Sequence, residues 1–563
     1  MAQTVLPFTP VAASNEQGNA LFASLPANFQ EACQASDFLF EYVRRLPIEE
    51  IGVPSFYPKP ARSLGGLDYK NLIYPIKEGL FVHIYPDKVG ARDHHVAIEP
   101  TLVVDIENLL PQLETKLLAY AEKIGAIDDK EEKKAYLNKL VDNLCVVTPK
   151  PVNNGRKGDK IQVTPAELRA IKYRVIRDKV GLGLLQPLLL DPYIEDISCS
   201  GVGHIFIEHK IFKSVQSSIS FPTHDAVDEF AVWLGEWIKN PVTVRNPLVD
   251  AVLPDGSRIN IVYGQEISKR GSNFTIRKFS GTPTSALELV DFGTLNYMML
   301  GYLSLMLEEG MNMFVVGATA SGKTTLLNAI TTFMKPDAKI VTIEDTPEVY
   351  VPHANWVQEM TRHGAGDKGG SNVGMFELLK AALRQRPDRI IVGEIRSIEA
   401  VVAFQAMQTG HGVMSTFHAD SVEKLIQRLT GDPINIPKTY IDNLNLVAIQ
   451  GAVRLADGKS ARRVKSINEI IGYDPVSGSF SFLEAFRWNP ATDTFDFPGY
   501  MNSYLLEQHI ALKRGIPPHK RKAIYTELER RARIFQKLHK EKGVTDFNEF
   551  FQILSEARKQ GLF

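Results

Sequence analysis

The sequence has only three cysteines, no long apolar run and almost no net charge, and each of these absences argues against a class of protein. Cys33, Cys145 and Cys199 are far apart and form no C-x-x-C pair, which argues against a disulfide framework and against a structural zinc site. No apolar stretch is long enough to span a bilayer. The formal net charge of -1 disfavours nucleic acid as a partner, because proteins that bind duplexes usually present a strongly basic face.

The first residues, MAQTVLPFTPVAASNEQ, have neither the basic start nor the apolar core of a secretory signal. We therefore expect a cytoplasmic protein. Its 563 residues exceed what one hydrophobic core organises, so we expect three or four domains.

Residues 313–334 read MFVVGATASGKTTLLNAITTFM, which predicts a buried strand, a glycine-bounded loop and a helix. The spacing G-x-x-x-x-G-K-T is that of a nucleotide-binding P-loop, in which successive backbone N–H groups surround the β-phosphate. Lys323 then contacts the β and γ oxygens, and the hydroxyl of Thr324 binds Mg²⁺. The predicted cofactors are ATP and Mg²⁺. The predicted nucleotide-binding residues are Gly317, Ala318, Thr319, Ala320, Ser321, Gly322, Lys323, Thr324 and Thr325.

Acidic residues follow two strands predicted downstream of the P-loop. IVTIEDTPEVY places Glu344, Asp345 and Glu348 after one strand, and RIIVGEI ends the next strand with Glu394. Position 393 is glycine, where a P-loop ATPase commonly carries an aspartate. With one carboxylate at this strand end, Glu394 either contacts the metal through water or activates the attacking water, which makes Glu348 more important. We predict that Glu394, Glu348 and Glu344 are catalytic and that Asp345 is a metal ligand, and the choice of base stays open.

Two histidines bracket a third predicted strand, in the segment TGHGVMSTFHADS. A lone histidine is more often structural. Because His411 and His418 enclose one strand of a nucleotide-binding sheet, whose ligands bind at the carboxyl edge, we predict that both sense phosphate.

Shifts in composition divide the chain into four predicted regions. An α+β region at 1–163, which we expect to lie near a partner or the membrane, ends in the turn-rich linker VTPKPVNNGRKGDKIQVTP. A small α/β domain at 164–283 ends in the linker SGTP. Alternating strand and helix signals at 284–505 predict a largely parallel sheet. Residues 506–563 are helical and basic, which is typical of a solvated helix surface; the alternative is a docking face for anionic lipid or an acidic partner.

Four segments, GATASGKT, IEDTPE, RIIVGEIR and TGHGVMSTFHA, occur in this order. They resemble the Walker A, Asp, Walker B and His boxes of the secretion and type IV filament ATPase superfamily, and the resemblance runs from Gly181 to Trp488. LLLDPYIEDISCSG and LPDGSRINI look like the small domain that precedes the motor in that superfamily. The chain lacks the tetracysteine zinc module of the bacterial type II secretion and pilus-extension members. It resembles more closely the archaeal branch, which includes the archaellum motor ATPases.

The resemblance implies an α/β fold in which a RecA-like motor domain follows a PAS-like small domain. It implies a cytoplasmic Mg²⁺-ATPase at the inner face of the cell membrane, working as a homohexamer with a polytopic membrane platform protein and, indirectly, with pilin-like or archaellin subunits. Arg258 and Arg277 match the small-domain arginines thought to reach the nucleotide, and Arg384 and Arg396 are secondary candidates.

Two functions of other classes stay open. A RecA-like nucleic-acid translocase would use the same core but would be stimulated by DNA, which the near-neutral composition disfavours. A nucleotide-gated scaffold would keep Lys323 and bind ATP without turnover.

Overall fold

The computed structural model describes residues 3–11, 15–87, 90, 92–149, 160–279, 283–362, 373–456 and 458–561. The chain divides into two compact units, 1–280 and 281–563. Residues 150–159 of the first predicted linker and 280–282 of the second lie outside the described residues. Within the described ranges, no helix is both long enough and apolar enough to cross a membrane.

The first unit contains an eleven-stranded sheet and a separate pair of short strands. The described strands are β1 Gln3–Thr4, β2 Ser55–Phe56, β3 Leu72–Pro75, β4 Phe81–Tyr85, β5 His94–Ile98, β6 Cys145–Val147, β7 Ile161–Val163, β8 Ile194–Cys199, β9 Gly203–His209, β10 Lys213–Phe221, β11 Leu248–Val252, β12 Arg258–Val262 and β13 Asn273–Arg277. The sheet has the order β11-β12-β13-β8-β9-β10-β5-β4-β3-β2, with β1 on β10. Because β10 pairs with β5, one sheet crosses the boundary predicted at residue 163.

The described helices of this unit are α1 Asn15–Ser24, α2 Ala27–Ala35, α3 Asp37–Arg44, α4 Ile48–Ile51, α5 Pro100–Val103, α6 Leu110–Leu117, α7 Ala121–Gly125, α8 Lys130–Leu144, α9 Pro165–Lys179, α10 Gln186–Leu190 and α11 His224–Trp237. A capping box, in which Thr164 and Glu167 bond each other's backbone, starts α9. The single helix that the spacing of apolar residues predicts across residues 31–46 is interrupted, because the backbone of Ser36 is extended between α2 and α3.

The second unit carries the P-loop. Its described strands are β14 Met313–Val316, β15 Ile340–Glu344, β16 Trp356–Met360, β17 Arg389–Glu394, β18 Gly412–Phe417, β19 Leu446–Arg454, β20 Ser460–Asp474, β21 Ser479–Asn489 and β22 Thr494–Asp496. Its described helices are α12 Ala286–Asp291, α13 Tyr297–Glu308, α14 Lys323–Thr331, α15 Met375–Arg384, α16 Glu399–Gln408, α17 Val422–Thr430, α18 Ala511–Lys513, α19 Ile524–Lys540 and α20 Phe547–Lys559.

The sheet of the second unit has the order β16-β15-β17-β18-β14-β19-β20-β21-β22. The first six strands in this order, from β16 through β14 to β19, pair in parallel. The last three strands, β20, β21 and β22, extend the sheet with antiparallel pairing. Every residue of β14 is buried at the centre of the parallel part, which explains its short apolar sequence. The predicted α/β class, with a parallel sheet around the P-loop strand, is confirmed.

The C-terminal helices pack onto the second unit. Arg531 in α19 is fully buried, and its Nη1 donates to Oε2 of Glu308 at 2.6 Å. Arg558 in α20 donates to the backbone carbonyls of Phe333 and Met334, at 2.8 and 2.7 Å, just beyond the end of α14. These tail helices are therefore part of the core that supports the P-loop helix.

Candidate nucleotide site

The P-loop joins β14 to α14 and is shaped by two glycines. The N–H of Gly317 donates to the carbonyl of Phe417 at 3.2 Å, and a Cβ at position 317 would lie 2.2 Å from the carbonyl oxygen of Gln450. A larger residue cannot fit there. Gly322 has φ +94°, a left-handed conformation that L-residues rarely adopt, and it begins α14. The loop therefore brings the N-terminal amides of α14 to the carboxyl edge of the sheet, where an anion is favoured.

The side chains inside the loop are suited to an anion. Lys323 is 8% exposed, and its Nζ donates to the carbonyl of Ala318 at 3.0 Å. Burial lowers the pKa of Lys323, while Glu394 and Glu348 oppose that change. The buried hydroxyl of Ser321 has no hydrogen-bond partner in the described part of the chain. A phosphate would satisfy that hydroxyl and draw the ammonium away from the carbonyl, so these residues fit a nucleotide.

The hydroxyl of Thr324 donates to a carboxylate oxygen of Glu348, with 3.3 Å between Oγ1 and Oε2. Asn328, one turn further along α14, donates to the carbonyl of Glu348 at 2.8 Å and accepts from the N–H of Tyr350 at 3.0 Å. This clamp holds the segment that carries Glu348 against the P-loop helix. Hydroxyl and carboxylate oxygens are ligands that Mg²⁺ prefers, so the pair fits the predicted metal.

Glu344, which the sequence predicts to be catalytic, is buried and bonded to the backbone of the segment that carries Glu348. It is 1% exposed, and its Oε1 accepts the N–H groups of Glu348 and Val349 at 2.9 and 2.7 Å. Burial raises the pKa of Glu344 to about 7. The carboxyl is thus occupied in holding the Glu348 segment, and the structure argues for a positioning residue rather than a catalytic one. A Cβ at Gly393 would lie 3.0 Å from Cγ of Glu344, so an aspartate at position 393 would crowd this buried carboxyl.

Glu394 lies at the end of β17 between Arg396 and His418. Its Oε2 accepts from Nε of Arg396 at 2.8 Å, and Nε2 of His418 contacts its Oε1. Glu399 fixes this turn, because its Oε1 accepts the N–H groups of Arg396 and Ser397 at 2.5 and 2.7 Å. Burial lowers the pKa of His418, and Lys323 adds to the effect. Glu394, His418 and Lys323 are therefore close enough to influence one another.

Three other candidates lie away from this cluster. His411 precedes β18, whose six residues span about 20 Å, so it sits at the opposite edge of the sheet from His418 and contacts Thr409. This placement argues against the predicted phosphate contact of His411 within one chain. Arg384 ends α15 before the amino end of β17, also at the far edge. Asp345 is exposed and accepts from Oγ1 of Thr361 at 2.9 Å, so its described contact runs away from the P-loop.

Arg258 and Arg277 belong to the first unit, where they are cross-strand partners on β12 and β13. Each faces an aspartate: Nε of Arg258 donates to Asp250 at 3.0 Å, and Nε of Arg277 donates to Asp196 at 3.2 Å. The two arginine side chains are 47% and 68% exposed. Their contact with nucleotide stays a prediction.

Two residues that touch the P-loop come from the strands β19 and β20. Nε of Arg462 donates to the carbonyl of Ala320 at 3.1 Å, and Ala320 has the left-handed φ of +59°. Gln450 places its carbonyl against Gly317, and its buried Oε1 has no partner among the described residues. Sequence reasoning missed both, since only the pairing of β19 with β14 and β20 brings them here. The doublet RR in the alternating segment SARRVKSINE was the available signal.

Comparisons with known proteins identify the family of the chain. The family model described as "Type II/IV secretion system protein" matches residues 178–479. An uncharacterized protein of Methanocaldococcus jannaschii is 42% identical over 523 residues, which cover 91% of this chain and 93% of the relative. Protein VirB11 of Agrobacterium fabrum is 31% identical over 268 residues, 42% of this chain and 76% of VirB11. Among solved structures, the ATPase DotB of Legionella pneumophila aligns with 73% of this chain and 99% of its own, at 17% identity and a TM-score of 0.39.

Proposed function

Because the chain belongs to the type II/IV secretion ATPase family, we propose that it is a Mg²⁺-dependent ATPase that powers an archaeal type IV-like filament, an archaellum or a pilus, or a related secretion machine. The observation that carries the proposal is the convergence of Lys323, Thr324, Glu348 and the Glu394–His418 pair at one edge of the parallel sheet. A cation, oxygen ligands and a carboxylate at one loop are what phosphoryl transfer to water needs.

Lys323 leaves the carbonyl of Ala318 and binds the β and γ oxygens of ATP. Thr324 and Glu348 would hold Mg²⁺, and the ion would supply positive charge that stabilises the phosphoryl oxygens. Glu394, held between Arg396 and His418, accepts a proton from the attacking water. Since Glu348 is hydrogen-bonded to Thr324, it suits the metal better than the water, which favours Glu394 as the base.

Arg258 and Arg277 complete the site in this proposal by exchanging their aspartate partners for γ-phosphate oxygens. Both pairs are exposed, and exposed ion pairs contribute only about 0–1 kcal/mol, so the exchange costs little. An arginine supplied from another domain or subunit raises the rate of P-loop hydrolysis by about 10³–10⁵. Their arrival and departure would move the first unit during each cycle, in a homohexameric ring.

The proposed place of work is the cytoplasm, peripherally at the inner face of the cell membrane. The partners there are a polytopic platform protein and, indirectly, pilin-like or archaellin subunits. The similar VirB11 protein of Bartonella henselae is named as a type IV secretion system protein, and this similarity supports a role in a membrane-associated secretion machine.

Release of phosphate from ATP by the purified full-length protein tests the proposal. We expect Glu394→Gln to bind ATP and to cleave it about 100-fold more slowly, the usual loss for a general base. Slow cleavage in Glu348→Gln together with normal cleavage in Glu394→Gln would reverse the assignment of the base. Binding without release by the wild type would favour a nucleotide-gated scaffold, and stimulation by DNA would favour a translocase.

A further inference from the structure

One turn of the C-terminal tail carries concentrated positive charge. The 3₁₀ turn Pro518–Ala523 has the sequence PHKRKA and follows a second proline, Pro517. We call its four basic residues, His519, Lys520, Arg521 and Lys522, the basic turn. His519, Lys520 and Lys522 are exposed and Arg521 is half-buried. Among the described residues, no ion pair joins any of the four to a carboxylate.

Three acidic residues close to the tail already have other basic partners. Glu308 and Glu309 pair with Arg514 at 3.1 and 2.8 Å, and Glu308 also pairs with Arg531. Glu527 pairs with Arg530 at 2.7 Å. Carboxylates thus neutralise Arg514, Arg530 and Arg531, whereas no residue of the basic turn has such a partner among the described residues.

An exposed apolar residue lies beside this charge. Helix α18 packs against the 3₁₀ turn, and its Leu512 is 46% exposed. The side chain of Lys513, next in sequence, is 56% exposed and pairs with Glu309 at 3.7 Å. The surface therefore combines the basic turn, whose residues have no ion pair in the described part of the chain, with an accessible leucine, as segments that lie in the headgroup region of a bilayer do.

We propose that the basic turn, with Leu512 and Lys513, binds an anionic membrane surface through lipid headgroup phosphates. The inference rests on the proposed function, which includes a peripheral location at the membrane. It names the surface of the chain that would contact the membrane. A duplex nucleic acid fits less well, because its affinity comes from many phosphates contacted along an extended basic stripe. The overall charge of -1 gives the rest of the chain no general attraction to an anionic surface.

The size of the effect follows from the number of cations. Each Lys or Arg near an anionic leaflet strengthens binding about five-fold, so Lys520, Arg521 and Lys522 together contribute on the order of 100-fold. Because the attraction acts within a Debye length of about 8 Å at physiological salt, it weakens as salt is added.

The test is vesicle flotation of the full-length protein. Vesicles of phosphatidylcholine alone are compared with vesicles in which a third of the lipid is phosphatidylglycerol. The variant Lys520→Gln, Arg521→Gln, Lys522→Gln is compared with a control that removes the same charge from exposed positions of the same tail, Arg533→Gln, Lys537→Gln, Lys542→Gln.

We expect the wild type and the control to float with anionic vesicles only, and the turn variant to bind them on the order of 100-fold more weakly. Equal loss in both variants, or unchanged flotation of the turn variant, would overturn the proposal. So would retention of the wild type on polyglutamate or duplex DNA without flotation, which would point to an acidic protein or nucleic acid.

Phosphate release by the same samples separates this inference from the proposed function. We expect the turn variant to keep the turnover of the wild type in solution, since no residue of the basic turn belongs to the nucleotide site. Normal turnover without vesicle binding by the wild type would refute the inference alone. Vesicle binding without turnover would refute the proposed ATPase alone.

Discussion

Replacing Glu344 with glutamine separates a positioning carboxyl from a catalytic one. Oε1 of Glu344 accepts both N–H groups that it holds, so the amide oxygen of glutamine can keep both bonds. The amide nitrogen then replaces Oε2, which faces Nε2 of Gln358 at 3.4 Å, and Gln358 can turn its own oxygen toward it. We therefore expect Glu344→Gln to retain ATP turnover. Loss of a general base would instead slow turnover about 10²–10⁴-fold.

The same substitution has a predictable effect on stability. Burial raises the pKa of Glu344 from 4.5 to about 7, so the folded protein binds this proton more tightly than the unfolded chain. The stabilisation from that proton is complete below about pH 4.5 and is lost as the pH rises through 7. The loss amounts to about 3 kcal/mol by pH 8. Glutamine does not titrate, so the free energy of unfolding of Glu344→Gln, measured relative to that of the wild type, should rise by about 3 kcal/mol between pH 4.5 and pH 8.

Phosphate release at neutral pH and unfolding midpoints measured across this pH range provide the assay. Because the two proteins differ only at position 344, the difference between their unfolding curves reports the effect of that residue. A 100-fold fall in turnover would restore the catalytic assignment, and identical pH dependence of the two unfolding curves would refute the buried, proton-binding carboxyl.

Three further predictions concern arginines. Arg462→Ala removes the hydrogen bond to the P-loop carbonyl, which is worth about 1 kcal/mol, and should weaken nucleotide binding about five-fold. The control Arg454→Ala, at an exposed position of the same hairpin, should leave nucleotide binding unchanged. Equal nucleotide affinity of the two variants in binding titrations would contradict this. Arg258→Ala combined with Arg277→Ala should leave folding intact and slow phosphate release by the assembled protein, and unchanged turnover would refute a finger role. Arg531→Ala removes a buried charged hydrogen bond to Glu308, which keeps Arg514 as a partner, and should destabilise the second unit by about 2 kcal/mol, with thermal unfolding as the measure.

The parts of the site that could be predicted from the sequence are those whose residues lie close together within one short segment of the chain. The P-loop is recognisable because Gly317, Gly322 and Lys323 must stand at fixed spacing for a backbone loop to surround phosphate. Its strand and helix follow from local apolar patterns, and both occur where expected. Glu394 and His418 were found for the same reason, since each ends a strand of a parallel sheet.

The parts that sequence missed depend on distant pairing and on burial. Glu344 looks like any acidic residue after a strand, and only its position beneath the Glu348 segment reveals a buried carboxyl that holds two amides. Arg462 reaches the P-loop across 142 residues of chain because β20 pairs with β19. The tail looked like a solvated basic surface, yet Arg531 is its most deeply buried cation and pairs with α13.

The central claim is that the turn from Gly317 to Thr324 binds and hydrolyses Mg-ATP, and Lys323→Ala tests it most directly. Titration of a fluorescent ATP analogue and steady-state phosphate release are measured for this variant and for the exposed control Lys335→Ala. We predict that Lys323→Ala loses tight nucleotide binding and at least about 100-fold in turnover, while the control matches the wild type. Binding and turnover near the wild-type level in Lys323→Ala would contradict the account.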